Sequence, residues 1–136
     1  MHPTDGRVLS NFIFQALKCG PVDLYGDGTQ IRLFCNVDDL IEDFVRLLHM
    51  PVDFTVLVNL DNPGEFTMIE GAETTGALTG LSSEQIHKPT PTNDPKQRRP
   101  DICLAKEAMP WEVEVSLEES LKPTIAYFGH LLSSKI

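Results

Sequence analysis

The groups best able to do chemistry lie in the stretch Tyr25-Gly-Asp-Gly-Thr-Gln-Ile-Arg-Leu-Phe-Cys-Asn-Val-Asp-Asp-Leu40. Gly26-Asp27-Gly28 supplies a turn in which positive φ is expected. Arg32 follows just beyond it, and its planar fork of donors suits phosphate oxygens. The other cations cluster at Lys96, Arg98 and Arg99, while Arg7 stands alone. The plain alternative for Arg32 is an ion pair with Asp38 or Asp39, and for Arg98 and Arg99 a solvated loop. Nucleophilic chemistry finds no support: His2, His49, His87 and His130 are scattered without a Ser/Asp context and are expected in solvent. Nor does any glycine-rich strand-to-helix turn occur that would hold a dinucleotide pyrophosphate.

The elements that must position these groups read as α/β. Residues 7–18 carry Val8, Leu9, Phe12, Ile13, Ala16 and Leu17 at helical spacing, stopped by Gly20-Pro21. Ser10 and Asn11 fall off that stripe, on the surface by the plain reading. Val22–Tyr25 and Ile31–Cys35 read as short strands. An aspartate N-cap at Asp38 or Asp39 is expected to open a helix through Met50, with Leu40, Ile41, Phe44, Val45, Leu47 and Leu48 as its apolar face.

Thr55–Leu60, rich in β-branched residues, suits a strand buried on both faces. Thr67 and Glu70 form a capping box for a helix expected to be short or mobile, because it contains Gly71 and Gly76. Gln85–Lys88 reads as another strand, and residues 89–100 as a polar, proline-rich loop. Asp101 can cap a short helix. Ser116 and Glu119 cap another with the stripe Leu117, Leu121, Ile125, Phe128 and Leu132, interrupted by Pro123.

Bulk properties exclude several classes. The 136 residues make a single domain, with 41% hydrophobic and 23% charged residues, as in a soluble globular protein. No apolar run approaches the roughly 20 residues of a membrane-spanning helix, and no signal peptide is read at the start. Net charge is −9, which argues against general nucleic-acid or anionic-membrane binding, so an anionic ligand must rely on local cations. Cys19, Cys35 and Cys103 are odd in number and lack metal-ligand spacing, consistent with reduced thiols in the cytoplasm and no metal site.

The stretch from Tyr25, with Met1-His-Pro-Thr-Asp-Gly-Arg-Val-Leu-Ser-Asn-Phe12, Asn59-Leu-Asp-Asn-Pro-Gly-Glu-Phe-Thr67, Asp94-Pro-Lys-Gln-Arg-Arg-Pro-Asp-Ile102, Ala105-Lys106 and Trp111-Glu112, resembles a family. It is the extended short-chain dehydrogenase/reductase superfamily of NAD-dependent epimerases and dehydratases. Within it the chain is most similar to the C-terminal part of UDP-glucuronate decarboxylases (UDP-xylose synthases).

The resemblance implies the substrate-binding portion of such a fold, short strands with about five helices, without the Rossmann cofactor half. It implies a UDP-sugar site made of Arg7, Ser10, Asn11, Phe12, Tyr25, Gly26, Gln30, Arg32, Arg98, Arg99 and Asp101. Arg32 and Arg98 or Arg99 would contact the diphosphate, Tyr25 and Gly26 the uridine end, and Asp101 would lie near the ribose. The plain alternative for Tyr25 is a core tyrosine.

The family's catalytic tyrosine, four residues before a lysine, has no counterpart, since Thr29 follows Tyr25 at that spacing and Leu131 follows Tyr127. Departures at Leu33, Asn36, Asp61 and Pro110 alter the pocket pattern. The resemblance therefore implies UDP-glucuronate or UDP-xylose binding, no bound cofactor or catalytic residue in this chain, and NAD only in the intact family. Partners implied are a UDP-sugar and either further copies of the chain or a cofactor domain. A non-catalytic nucleotide-sugar binding or protein-interaction module is the alternative.

Overall fold

The computed structural model describes residues 6–81, 83–90, 100–109 and 115–134. Among them the chain runs α1 (Val8–Leu17), β1 (Val22–Tyr25), β2 (Ile31–Leu33), α2 (Val37–Leu48) and β3 (Glu65–Thr67). It continues through α3 (Met68–Thr79), β4 (Gln85–Lys88), α4 (Cys103–Ala108) and α5 (Leu117–Ser133). The strands form two pairs. β1 lies parallel to β4 with Val22 opposite Gln85 and Tyr25 opposite Lys88, and β2 lies antiparallel to β3 with Arg32 opposite Phe66.

The core is where α1, α3 and α5 meet over β1. Leu9, Phe12 and Ile13 of α1, Leu24 of β1, Met68 and Ala72 of α3, and Leu121 and Phe128 of α5 are buried together. The α1 stripe is thus core, as its spacing predicts. The chain leaves α1 through Cys19, which takes a left-handed φ of 54°, one residue before the expected glycine.

Helix α3 corrects the expectation of a short or mobile element, since it spans 12 residues at the centre of the packing. Its start is held by the Thr67–Glu70 capping box and its end by Gly80 at φ 67°. Gly71 and Ala72 are buried, and the small face lets α1 approach, with Leu9 and Phe12 beside Gly71. Thr75 is fully buried but donates its hydroxyl to the Gly71 carbonyl at 2.8 Å. Tertiary packing has overridden weak propensity.

Four further expectations change. The N-cap of α2 is Asn36, whose side chain accepts from the Asp38 amide at 2.7 Å, leaving Asp38 and Asp39 in the first turn. Asn36 fills that place because it is the residue with an extended backbone. Asp101 accepts from the Cys103 amide one position before the α4 cap, which is Ile102. Helix α5 continues through Pro123 for 17 residues; the proline is exposed, so the carbonyl it leaves unpaired can turn to water. Residues 55–60 form no strand, and Val56 and Leu57 are exposed. A strand needs a neighbour to pair with, and among the described residues no strand pairs with this segment.

A methyl group added at Gly71 would meet Leu9 at 3.6 Å, an ordinary contact. Gly71→Ala should therefore stabilise the chain by about 0.5–1 kcal/mol, as alanine does over glycine within a helix. Urea unfolding checks this through a higher midpoint at unchanged slope.

Candidate functional site

One face of α1, the outward side of β1 and the entry to β2 converge on a cleft of about 70 Å³. Val8, Asn11, Phe12 and Gln15 come from α1, Asp23 and Tyr25 from β1, Gln30 and Arg32 from the β2 arm, with Gly6 and Met68 completing it. The spacing explains the convergence. Residues 8, 11, 12 and 15 share a helical face, while 23 and 25, and 30 and 32, are alternate positions of extended chain.

Polar contacts fix the cleft wall. Gln15 accepts from the Asp23 amide at 3.1 Å and donates to the Asp23 carboxylate at 3.0 Å, closing the β1 edge away from β4. Lys88 Nζ donates to the same carboxylate at 2.6 Å. That hydrogen bond holds the Lys88 ammonium above the usual lysine range, so the lysine stays charged at neutral pH. Arg32 donates from Nη1 to the Ile31 carbonyl at 2.9 Å, which sets its guanidinium along the cleft.

The turn at Gly26-Asp27-Gly28 carries φ values of 70° and 76° at its two glycines, as expected. Gly26 also receives the start of the polar loop. Its amide donates to the Lys88 carbonyl at 2.8 Å, its carbonyl lies 2.8 Å from His87 Nδ1, and a Cβ there would sit 2.5 Å from Thr90 Oγ1. Thus β4 delivers the beginning of the 89–100 loop to the glycine turn.

The residues implied by the resemblance divide accordingly. Asn11, Phe12, Tyr25, Gln30 and Arg32 line the cleft, and Arg7 is exposed beside its Gly6 rim. Gly26 stands behind the wall as the seat for Thr90. Ser10 is neither surface nor cleft: it is fully buried and donates to the Arg7 carbonyl at 2.8 Å. Asp101 is not a cleft residue, and its backbone carbonyl accepts from Asn59. Arg98 and Arg99 lie outside the described residues.

Gln15 and Asp23 escaped the sequence reading. The signal for Gln15 was its position one helical turn beyond Asn11; Asp23 was hidden within a strand. A larger cavity of about 200 Å³ between α3 and the starts of β1 and β4 holds a single charged residue, Glu73, and none of the residues implied by the resemblance. The smaller cleft, with Arg32, is the site with chemistry.

Cysteine chemistry is disfavoured as well. Burial, then the charges of Asp61, Asp39 and Asp43, push the Cys35 thiol up, and Asp101 does the same to Cys103. Both stay protonated and poorly nucleophilic near neutrality. All three cysteines are free thiols. Among the described residues no helix is long and apolar enough to cross a membrane.

Residues 1–59 match the model of the NAD dependent epimerase/dehydratase family. UDP-glucuronic acid decarboxylase 5 of Arabidopsis thaliana is 46% identical over 121 residues, 89% of this chain and 35% of the relative. UDP-glucuronic acid decarboxylase 1 of Danio rerio is 43% identical over 132 residues, 97% and 31% respectively. The chain belongs to the NAD dependent epimerase/dehydratase family. It spans about a third of the length of the curated relatives it matches.

Two solved structures share the fold. UDP-glucose 4-epimerase of Thermotoga maritima, determined with UDP-glucose, superposes with TM-score 0.87 at 28% identity, covering 96% of this chain and 42% of its own. UDP-glucuronic acid 4-epimerase of Bacillus cereus, determined with UDP-glucuronic acid and NAD, gives TM-score 0.88 at 24% identity, covering 96% and 41%. The described fold is therefore part of an epimerase-type α/β fold, as the resemblance implies.

Replacing Gly26 tests the loop seat. Gly26→Ala must place a side chain at positive φ and against Thr90, so it should destabilise by at least about 1–2 kcal/mol, the cost of left-handed backbone alone. Thermal unfolding of the variant measures it.

Proposed function

We propose that this chain is the UDP-sugar-binding portion of a UDP-glucuronate decarboxylase-like, NAD-dependent enzyme. The observation that carries the reading is the convergence of Asn11, Phe12, Tyr25, Gln30 and Arg32 on one cleft. Helix α1 adds to it. Its start lies at the rim through Gly6 and Val8, it has no acid in its first turn, and no side chain caps it. A partial positive charge there acts in the same direction as Arg32 on a bound diphosphate. The remaining cleft groups include the rings of Phe12 and Tyr25, the amides of Asn11, Gln15 and Gln30, and the Asp23 carboxylate held by Gln15 and Lys88, which suit a nucleoside better than a second anion.

The starts of α2, α3 and α5 do not suit the pyrophosphate of NAD. Helices α2, α3 and α5 each carry acids in the first turn, and each is capped by a side chain. The Thr67 amide and then its hydroxyl hold Glu70 below the usual carboxylate range, and the Ser116 hydroxyl and then its amide do so for Glu119. Both stay ionised and would repel a pyrophosphate. In a whole enzyme, NAD held outside the described residues would supply the hydride chemistry. This chain's residues bind and orient the nucleotide sugar. The alternative, a non-catalytic interaction module, is favoured by the outward apolar face of α2.

Titration calorimetry with UDP tests the reading. Weak binding is expected, and Arg32→Ala should weaken it on the order of tenfold to a hundredfold, as losing a charge-assisted hydrogen bond of about 1.5–3 kcal/mol implies. Equal binding by parent and variant, or none by the parent at about 1 mM UDP, where an affinity of only about −4 kcal/mol would show, overturns it.

A further inference from the structure

The larger cavity, of about 200 Å³, lies at the other end of β1 from the cleft, with Val22 in its wall where the cleft has Tyr25. It holds no group able to do chemistry, yet it is shaped to bind. Ala72 and Gly76 stand one turn apart on one face of α3 and carry little bulk into the space. Gly80, at φ 67°, then turns the chain back so that Leu81 closes one side, its carbonyl 3.6 Å from where a Cβ on Gly76 would stand. Val22 and Ala72 are buried, so the floor is apolar.

The rim is polar and its groups are unspent. Glu73, Ser83 and Gln85 line it, and among the described residues none of these three side chains takes part in a hydrogen bond or ion pair. That sets Glu73 apart from Glu70 and Glu119, which are held by their capping partners, and from Asp23, which is held by Gln15 and Lys88. The cavity thus offers carboxylate, hydroxyl and amide oxygens above an apolar floor, with a negative charge and no positive one among its lining residues.

Such a set selects its ligand by chemistry. An anion is repelled by Glu73 and by the net charge of −9. A bare metal ion finds no group of three ligating side chains among the described residues. An ammonium brings three donors and no acceptor, and its attached carbons can cover the floor. Size sets the rest, since an apolar cavity of about 150 Å³ takes benzene. We infer that the cavity between α3 and the starts of β1 and β4 binds a small primary amine, its ammonium at Glu73, Ser83 and Gln85 and its apolar body, of about six to eight heavy atoms, over Val22, Ala72 and Leu81. The inference does not rest on UDP binding, because the two sites share no residue.

Benzylamine, a cation at neutral pH, is the probe, with benzyl alcohol as its uncharged counterpart of equal size and benzoate as the anion. Backbone amide resonances are followed in the whole chain. Benzylamine should give saturating shifts at Ala72, Gly76 and Gln85, with a Kd on the order of 1–10 mM, the strength that so few atoms supply. Benzyl alcohol should bind about threefold to fivefold more weakly, the worth of an ion pair that keeps one side in water, and benzoate should give no saturating shift. Glu73→Gln removes no contact within the described residues, and should abolish the amine's advantage while leaving benzyl alcohol affinity unchanged.

A second measurement needs no variant. Raising ionic strength from about 0.01 to about 1 M shortens the screening length about tenfold and should weaken benzylamine but not benzyl alcohol. Equal affinities for amine and alcohol, a preference that survives Glu73→Gln, or benzylamine binding indifferent to salt overturns the proposal. So do shifts centred outside the cavity, loss of benzylamine binding in Arg32→Ala, which would place the amine in the cleft, or no saturation by about 50 mM, several times the weakest affinity expected.

Discussion

The parallel pairing of β1 with β4 is the constraint on which the site depends. It joins segments about sixty residues apart, with Val22 opposite Gln85 and Tyr25 opposite Lys88. The same alignment seats Thr90 on Gly26 and brings Lys88 within 2.6 Å of Asp23. On its other edge β1 is closed by Gln15, so a two-stranded sheet is stabilised by side chains where a larger sheet would use another strand. Burial of Leu24 beneath α1 and α3 locks the strand in place, and the cleft is formed on the side that remains.

Charge then sorts what that cleft can hold. The chain carries a net −9, and its helices α2, α3 and α5 begin with acids and are closed by side-chain caps. The start of α1 is different, and it lies at the same rim as Arg32. The one acid in the cleft wall, Asp23, is held by Gln15 and offset by Lys88. An anion approaching this molecule therefore meets favourable charge locally, within a field that repels it generally.

What was legible in the sequence was local. The glycine turn, both capping boxes, the α1 and α5 stripes and β4 depend on neighbours a few residues away, and each has its signature in residue type and spacing. What was not legible depends on distant partners. Glycines suggested a weak α3, but packing against Leu9 and Phe12 uses the absence of a side chain at Gly71. The run 55–60 has the composition of a strand without a neighbour to make it one, and the apolar face of α2 was readable although its outward direction was not. In the site, Gln15 and Asp23 were missed because their role arises only when α1 and β1 are brought side by side.

The central claim, that the cleft between α1, β1 and β2 receives a uridine diphosphate, is most directly tested by following backbone amide resonances as UDP is added. The account predicts shifts concentrated at Asn11, Tyr25, Gln30 and Arg32, with those around Glu73 and Ala77 at the larger cavity unchanged. Shifts centred on the larger cavity, or none at about 1 mM UDP, the threshold of weak binding, would contradict it.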